Sequence, residues 1–118
     1  MQNKYNLEER TGKFGEMVID LCKSIKRDHI VSPIISQLVR SATSVGANYM
    51  EANGASSRKD FRNKIFICKK EIRETNHWLR MLVRCRPEMR ENVKAVVGES
   101  GELTLIFSKI GVSLDAKS

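Results

Sequence analysis

Six cations with regular spacing are the residues of this sequence best placed to do chemistry. Arg58, Arg62, Lys69, Arg73, Arg80 and Arg84 fall, at about 100° per residue on a helix, within an arc of roughly 80°. They would form a basic track about 40 Å long beside an apolar seam. Such a track can follow a row of phosphates, with each arginine presenting a two-pronged donor set to its anion. The competing reading is a solvated face whose charges pair with neighbouring subunits, since charge runs are most often only solvated. Phe66 lies near the arc and Trp78 does not, so little aromatic surface is available for stacking on unpaired bases.

A second set is uncharged for the most part. Gln37, Arg40, Ser41, Ser44, Asn48 and Glu51 repeat on one helical face beside the apolar stripe Leu38, Ala42, Val45 and Tyr49. This polar stripe is either a ligand site or a hydrogen-bonded packing seam. The seam is the stronger reading, because small polar residues let helices approach closely and fix their register. Arg40 and Glu51 are expected to form an ion pair or to anchor a neighbouring subunit.

The remaining reactive groups point away from catalysis. His29 and His77 have no second ligand at metal spacing, and His77 with Glu74 makes only one i, i+3 pair. Neither a metal nor a cofactor is expected. Cys22 and Cys68 sit on apolar stripes as core residues. Cys85 lies between Arg84 and Arg86, where a thiol pKa can fall, which leaves a reactive thiol as a minor reading. No glycine-rich phosphate loop and no nucleophile–base spacing occurs, so a non-enzymatic protein is expected.

Composition bounds the elements that must position these residues. The chain has 118 residues, 41% hydrophobic and 30% charged, which suits one globular domain over 1–118. Two Pro and seven Gly favour long elements over many short strands. No apolar run reaches membrane-spanning length, and MQNKYNLEER has no apolar stretch behind its charges, so neither a membrane association nor a signal peptide is expected. Three cysteines without metal spacing fit reduced thiols in the cytoplasm. The net charge is +7, and residues 58–85 hold nine Lys and Arg against three Asp and Glu. Almost all of the excess therefore lies in the segment that carries the track, and the imbalance admits nucleic acid (RNA or DNA), an acidic protein or an anionic membrane surface as partner.

Four helical segments follow from periodicity and caps. Asn6 with Glu9 reads as a capping box opening a helix whose stripe is Phe14, Met17, Val18, Leu21, Cys22 and Ile25, ending near Lys26 to Asp28. Gly12 and Gly15 leave room there for a close helix crossing. Ser32-Pro33 reads as an N-cap followed by Pro at the first helical position, opening a helix to about Ala52, with Asn53-Gly54-Ala55-Ser56 as the turn. Ser57 caps a third helix with Asp60 as its partner. Its seam, Phe61, Ile65, Cys68, Ile72, Thr75, Leu79 and Leu82, keeps a four-three rhythm until Arg86-Pro87. Pro87 opens the fourth, with Met89, Val93, Val96, Ser100, Leu103, Phe107, Ile110 and Leu114 in the same rhythm. Because that phase is unbroken across Gly98 and Gly101, one long helix with a bend is expected, the alternative being two helices and a turn. Four helices with short connections predict an all-α, antiparallel up-and-down bundle.

The run SQLVRSATSVGANYMEA at 36–52 resembles the signature of the bacterial four helix bundle protein family, proteins encoded by intervening sequences within 23S ribosomal RNA genes. Gln37, Leu38, Arg40, Ser44, Asn48 and Glu51 stand at the signature positions, and Ser57, Asp60, Phe61, Glu74 and Thr75 also match. Ala52 replaces the usual Gly, with Gly54 two residues on, and Cys68-Lys69-Lys70-Glu71 is more charged than the small, Ser-rich family pattern. The resemblance implies a four-helix bundle that assembles as a homopentamer. It also implies kinship with accessory proteins of diversity-generating retroelements, which bind nucleic acid beside a reverse transcriptase. The expectation is an oligomeric nucleic-acid-binding accessory protein; the alternative is an oligomeric scaffold for a protein partner.

Overall fold

The computed structural model describes residues 6–116. Four α-helices carry the chain: α1 (Leu7–Lys23), α2 (Val31–Asn53), α3 (Arg58–Cys85) and α4 (Lys94–Ala116), with a single 3₁₀ turn, Pro87–Met89, between the last two. Each packs on its sequence neighbour, and α4 closes back on α1. Contacts between helices fix the directions. Glu51, late in α2, meets Lys64, early in α3, whereas Arg40 in mid-α2 reaches Glu71 and Glu74. Arg58 at the start of α3 touches Leu114 at the end of α4, and Asn76 meets Ser100. The result is an antiparallel up-and-down four-helix bundle, 47 × 22 × 20 Å.

The core is the set of expected stripes turned inward. Phe14 and Val18, Leu38, Ala42 and Val45, Ile65, Ile72, Leu79 and Leu82, and Leu103 and Phe107 are all essentially inaccessible to solvent. Tyr49 and Phe107 join α2 to α4 with ring centroids 5.9 Å apart. The apolar sides of four amphipathic helices can be hidden together only in this way, which is what makes the bundle form.

α1 comes close to α2 through small residues. A Cβ on Gly46 would lie 3.3 Å from the Thr11 carbonyl oxygen and 3.4 Å from the Gly12 amide nitrogen. A Cβ on Gly15 would meet Thr43 Cγ2 at 3.3 Å. Gly12 and Gly15, expected at a crossing, are both there: Gly15 faces Thr43 and Ala42 of α2, and Gly12 lies with Thr11 against Gly46.

Helix caps and boundaries depart from expectation in α1, α2 and α4. Asn6 adopts φ 49° and ψ 51° and makes no side-chain cap to a backbone amide; its Nδ2 donates to Glu9 Oε2 at 2.9 Å instead. A capping side chain needs an extended backbone, so the capping box does not form. α1 also stops at Lys23, earlier than expected. The start of α2 is set by Asp28, not Ser32. Asp28 Oδ1 accepts the amides of Ile30 (2.9 Å) and Val31 (2.8 Å), and its carbonyl accepts that of Ser32 (3.0 Å). Ser32 Oγ is taken by Arg27 Nε at 2.9 Å. Pro33 then falls in the first turn, where a missing N–H costs no helical bond. Third, Pro87 opens only the 3₁₀ turn and α4 begins at Lys94. From there α4 runs unbroken through Gly98 and Gly101. Ser57 does cap α3, accepting the Asp60 amide at 3.0 Å.

Asp28 also clips the bundle end. Its Oδ2 accepts from Arg86 Nη2 at 2.9 Å, and the same guanidinium donates to the Lys26 carbonyl at 3.0 Å. The Val31 amide first, then Arg86, hold the Asp28 carboxyl at a pKa of about 2.

Two outcomes follow for stability. Gly46→Leu should lower it by about 1–3 kcal/mol, because the clash is with backbone and the helices must part. Gly101→Ala, where nothing lies within 4 Å, should raise it by about 0.5–1 kcal/mol through helix propensity; urea unfolding of both reads the contrast. The Asp28 carboxyl is depressed in the folded state, so its contribution is complete above its unfolded pKa of about 3.9. It is lost as the pH falls towards about 2. The melting-temperature gap between wild type and Asp28→Asn should therefore shrink over that window and stay constant from pH 5 to 7.

Candidate nucleic-acid interface

The hydrophobic seam of α3 decides where its charges point. With Ile65, Cys68, Ile72 and Leu79 inward, Lys64, Glu71, Glu74 and Trp78 lie on the flank towards α2. The track lies on the flank towards α4 and solvent. Arg58 Nη2 donates to the Leu114 carbonyl at 3.3 Å, and Arg80 lines a groove with Val93 and Val97 of the α4 side. Arg58, Arg62, Arg73, Arg80 and Arg84 are exposed and Lys69 is half-buried. All six predicted residues thus share one face of the molecule.

On the other flank Glu71 and Glu74 are occupied. Arg40 of α2 bridges Glu71 at 3.4 Å and Glu74, with Gln37 Oε1 accepting from Arg40 Nε at 2.9 Å. The Trp78 indole N–H, 3.0 Å from Glu74 Oε2, and then Arg40 hold the Glu74 carboxyl below the usual range. Lys64 Nζ meets Glu51 Oε1 at 2.6 Å. By contrast, Lys69, Arg73, Arg80 and Arg84 make no ion pair or side-chain hydrogen bond among the described residues. The sign of charge is therefore sorted across α3, neutralised towards α2 and uncompensated on the far side.

The polar stripe of α2 lines the α2–α3 seam. Ser41 is fully buried, and its Oγ lies 2.9 Å from Thr75 Oγ1 and 3.2 Å from the Leu38 carbonyl. Ser44 Oγ donates to the Arg40 carbonyl at 2.7 Å and Asn48 Nδ2 to the Ser44 carbonyl at 2.8 Å. Arg40 and Glu51 do not pair with each other. Eleven residues of helix set them about 16 Å apart, and each finds its partner on α3.

Cys22 and Cys68 are buried, and burial pushes their thiols up to about 11 and about 12. Cys85 is half-buried, with Arg86 Nη1 on its carbonyl at 3.1 Å. His77 packs edge-on against Trp78 at 4.8 Å. Among the described residues no three His, Cys, Asp or Glu are grouped to hold a metal ion, and no helix is long and apolar enough to cross a membrane.

Two features of the structure lay outside the sequence pattern, one of them on this face. Arg90, just past the 3₁₀ turn, joins Arg80 and Arg84 around one groove. Its helical phase says nothing about α3, so only the fold brings it in. Arg10 of α1 pairs with Glu99 (2.7 Å) and Glu102 (3.3 Å) of α4, closing the bundle on its opposite side; Glu99 chiefly raises the Arg10 pKa.

The fold and this face define a helical bundle with one uncompensated basic flank. Residues 4–108 match the model of the 23S rRNA-intervening sequence protein family, and the chain belongs to that family. It is also similar to a crystal structure from Bacteroides thetaiotaomicron VPI-5482, described as a protein with unknown function from the S23 ribosomal protein family. The TM-score is 0.77 and the identity 31%, over 88% of this chain and 96% of that one. No curated protein matches the chain significantly.

The seam supports a direct test. Thr75→Val removes the hydroxyl that meets Ser41 in a dry site, while Ser41 keeps the Leu38 carbonyl, and should cost about 0.5–1.5 kcal/mol. Glu51→Ala removes only an exposed bridge and should cost less than about 1 kcal/mol. Equal losses in urea titrations would contradict this ordering.

Proposed function

We propose that this chain is a non-enzymatic, self-associating cytoplasmic protein that binds nucleic acid along the outer flank of α3. The observation that carries the reading is the row of cations there with no acidic partner among the described residues, Lys69, Arg73, Arg80 and Arg84, on a helix whose own Glu71 and Glu74 are turned to Arg40. Phosphates supply the missing counter-charge. Contacts of this kind release counterions and carry little base information, so binding should be salt-sensitive and tolerant of sequence.

Exposed apolar residues supply the surface for self-association. Leu105 (64% exposed) and Val112 (68%) lie outward on α4, and Ile19 and Met50 lie outward across α1 and α2. Their burial between copies favours a closed assembly, and five copies are what the family resemblance implies. A ring would repeat the α3 flank and raise modest contacts to useful affinity by avidity.

Replacing Arg62, Lys69 and Arg73 together by Gln keeps helix propensity and should leave the fold intact. Fluorescence anisotropy with labelled duplex DNA and hairpin RNA at two salt concentrations, with light scattering on the same samples, tests the reading. The expected result is steeply salt-dependent binding by the wild type, a loss on the order of tenfold or more in the variant, and unchanged oligomer size. No binding by the wild type at low salt, with altered assembly in the variant, would instead establish the scaffold reading. Unchanged binding by the variant would move the site off α3, and a monomer at micromolar concentration would refute self-association.

A further inference from the structure

The basic flank changes character towards the C-terminal end of α3. There a groove of about 400 Å³ opens between α3 and α4, floored by Leu79, Val83 and Val93. Val97 forms its outer lip and is 47% exposed. An adjoining pocket of about 340 Å³ shares Arg80, Val83 and Arg90 and adds Arg84. Among the described residues no acidic one lines either of them. Arg80, Arg84 and Arg90 make no ion pair among the described residues. At the other end of the groove Asn76 Oδ1 accepts from Ser100 Oγ at 2.8 Å, which leaves its amide N–H groups to donate.

We propose that this groove binds an acidic, amphipathic peptide segment of a partner protein. An apolar side chain of the segment enters between Leu79, Val83 and Val97, and its carboxylates meet Arg80, Arg84 and Arg90. Planar guanidinium groups take carboxylates in a bidentate fashion, and a helix or turn with one apolar face is the form that fits a groove between helices. The apolar floor decides between a peptide and a nucleic acid. A phosphate backbone gains nothing by covering valine and leucine, whereas an apolar side chain removes that surface from water. Charge complementarity then sets the sign of the partner. This goes beyond the nucleic-acid reading, since it uses a second chemistry at one end of the flank and residues, Arg90 and Val97, that are not part of the track.

The test uses the full chain and a fluorescein-labelled peptide with Leu along one helical face and Glu elsewhere. A control peptide carries Gln for every Glu, and a labelled hairpin RNA is measured beside them. The wild type should bind the Glu peptide and not the Gln peptide. Arg90→Gln combined with Val97→Ser should weaken peptide binding about tenfold or more while hairpin RNA binding changes by less than about threefold. The Arg62, Lys69, Arg73 triple variant should show the reverse. Should the wild type bind no RNA at all, the peptide arm decides by itself. The proposal is overturned if the wild type ignores the Glu peptide or if the groove variant binds it as the wild type does. It is also overturned if the groove variant loses RNA as fully as the triple variant, which would make the groove part of the nucleic-acid path. Dissociation of the groove variant in light scattering would mark a subunit interface and overturn it equally.

Discussion

The register between α2 and α3 is the constraint on which the surface of this protein depends. Its centre is the buried meeting of Ser41 Oγ and Thr75 Oγ1, 2.9 Å apart among fully enclosed side chains. Ser41 and Thr75 each also bond a carbonyl of their own helix, so their mutual contact contributes about 0.5–1.5 kcal/mol. The buried apolar side chains around it contribute more, while an exposed salt bridge contributes less than about 1 kcal/mol. The hydroxyl contact and the apolar seam around it therefore set the rotation of α3, and the ion pairs follow. With that rotation, Glu71 and Glu74 come under Arg40, and Lys64 comes under Glu51. Turning α3 by one residue, about 100°, would carry the track towards the core and could not be tolerated. The uncompensated basic flank is thus a consequence of packing on the opposite side of the same helix.

The rest of the bundle holds that arrangement in place. α1 lies close on α2 because Gly15 and Gly46 allow backbone and side chain to come within ordinary contact distance. At one end the loop after α1 is tied to the end of α3 through Asp28 and Arg86; on the α1–α4 side Arg10 spans to Glu99 and Glu102. α4 is the least amphipathic element, with Val97, Leu105 and Val112 turned outward and Val97 beside Arg80 of α3. Apolar and basic surface therefore adjoin, which is why one molecule can present both a phosphate-binding flank and a groove suited to an apolar, acidic segment.

Much of this was legible in the residues. A four-three rhythm, kept from Ile65 to Leu82 and from Val93 to Phe107, fixes which side of each helix is buried, and every one of those seam positions is inaccessible or nearly so. The unbroken phase across Gly98 and Gly101 marked a continuous helix because two glycines cost less than the packing of the surrounding seam contributes. The cap of α3 at Ser57 was equally plain. Helix starts were less so at Asn6 and Ser32, because several short polar residues stand near each start. Which of them reaches the amides depends on loop geometry: Asp28 wins at α2, and a left-handed Asn6 turns away at α1. Periodicity also places faces without naming partners. It put Arg40 and Glu51 on one stripe but could not show that each is satisfied from α3, nor that Arg90 arrives at the track from another element.

The central claim is that the α3 flank facing away from α2 is where a polyanion binds. Ultraviolet cross-linking of the intact protein to a photoreactive single-stranded or hairpin RNA, followed by mass spectrometry of the adducts, tests it most directly. Phe66, 66% exposed beside Arg62 and Lys69, gives that flank a reporter ring that can contact a base. The account predicts adducts concentrated in the peptides carrying Phe66, Lys69 and Arg73. Adducts confined to α1 or to the Gln37–Glu51 side of α2, with α3 unmodified, would contradict it.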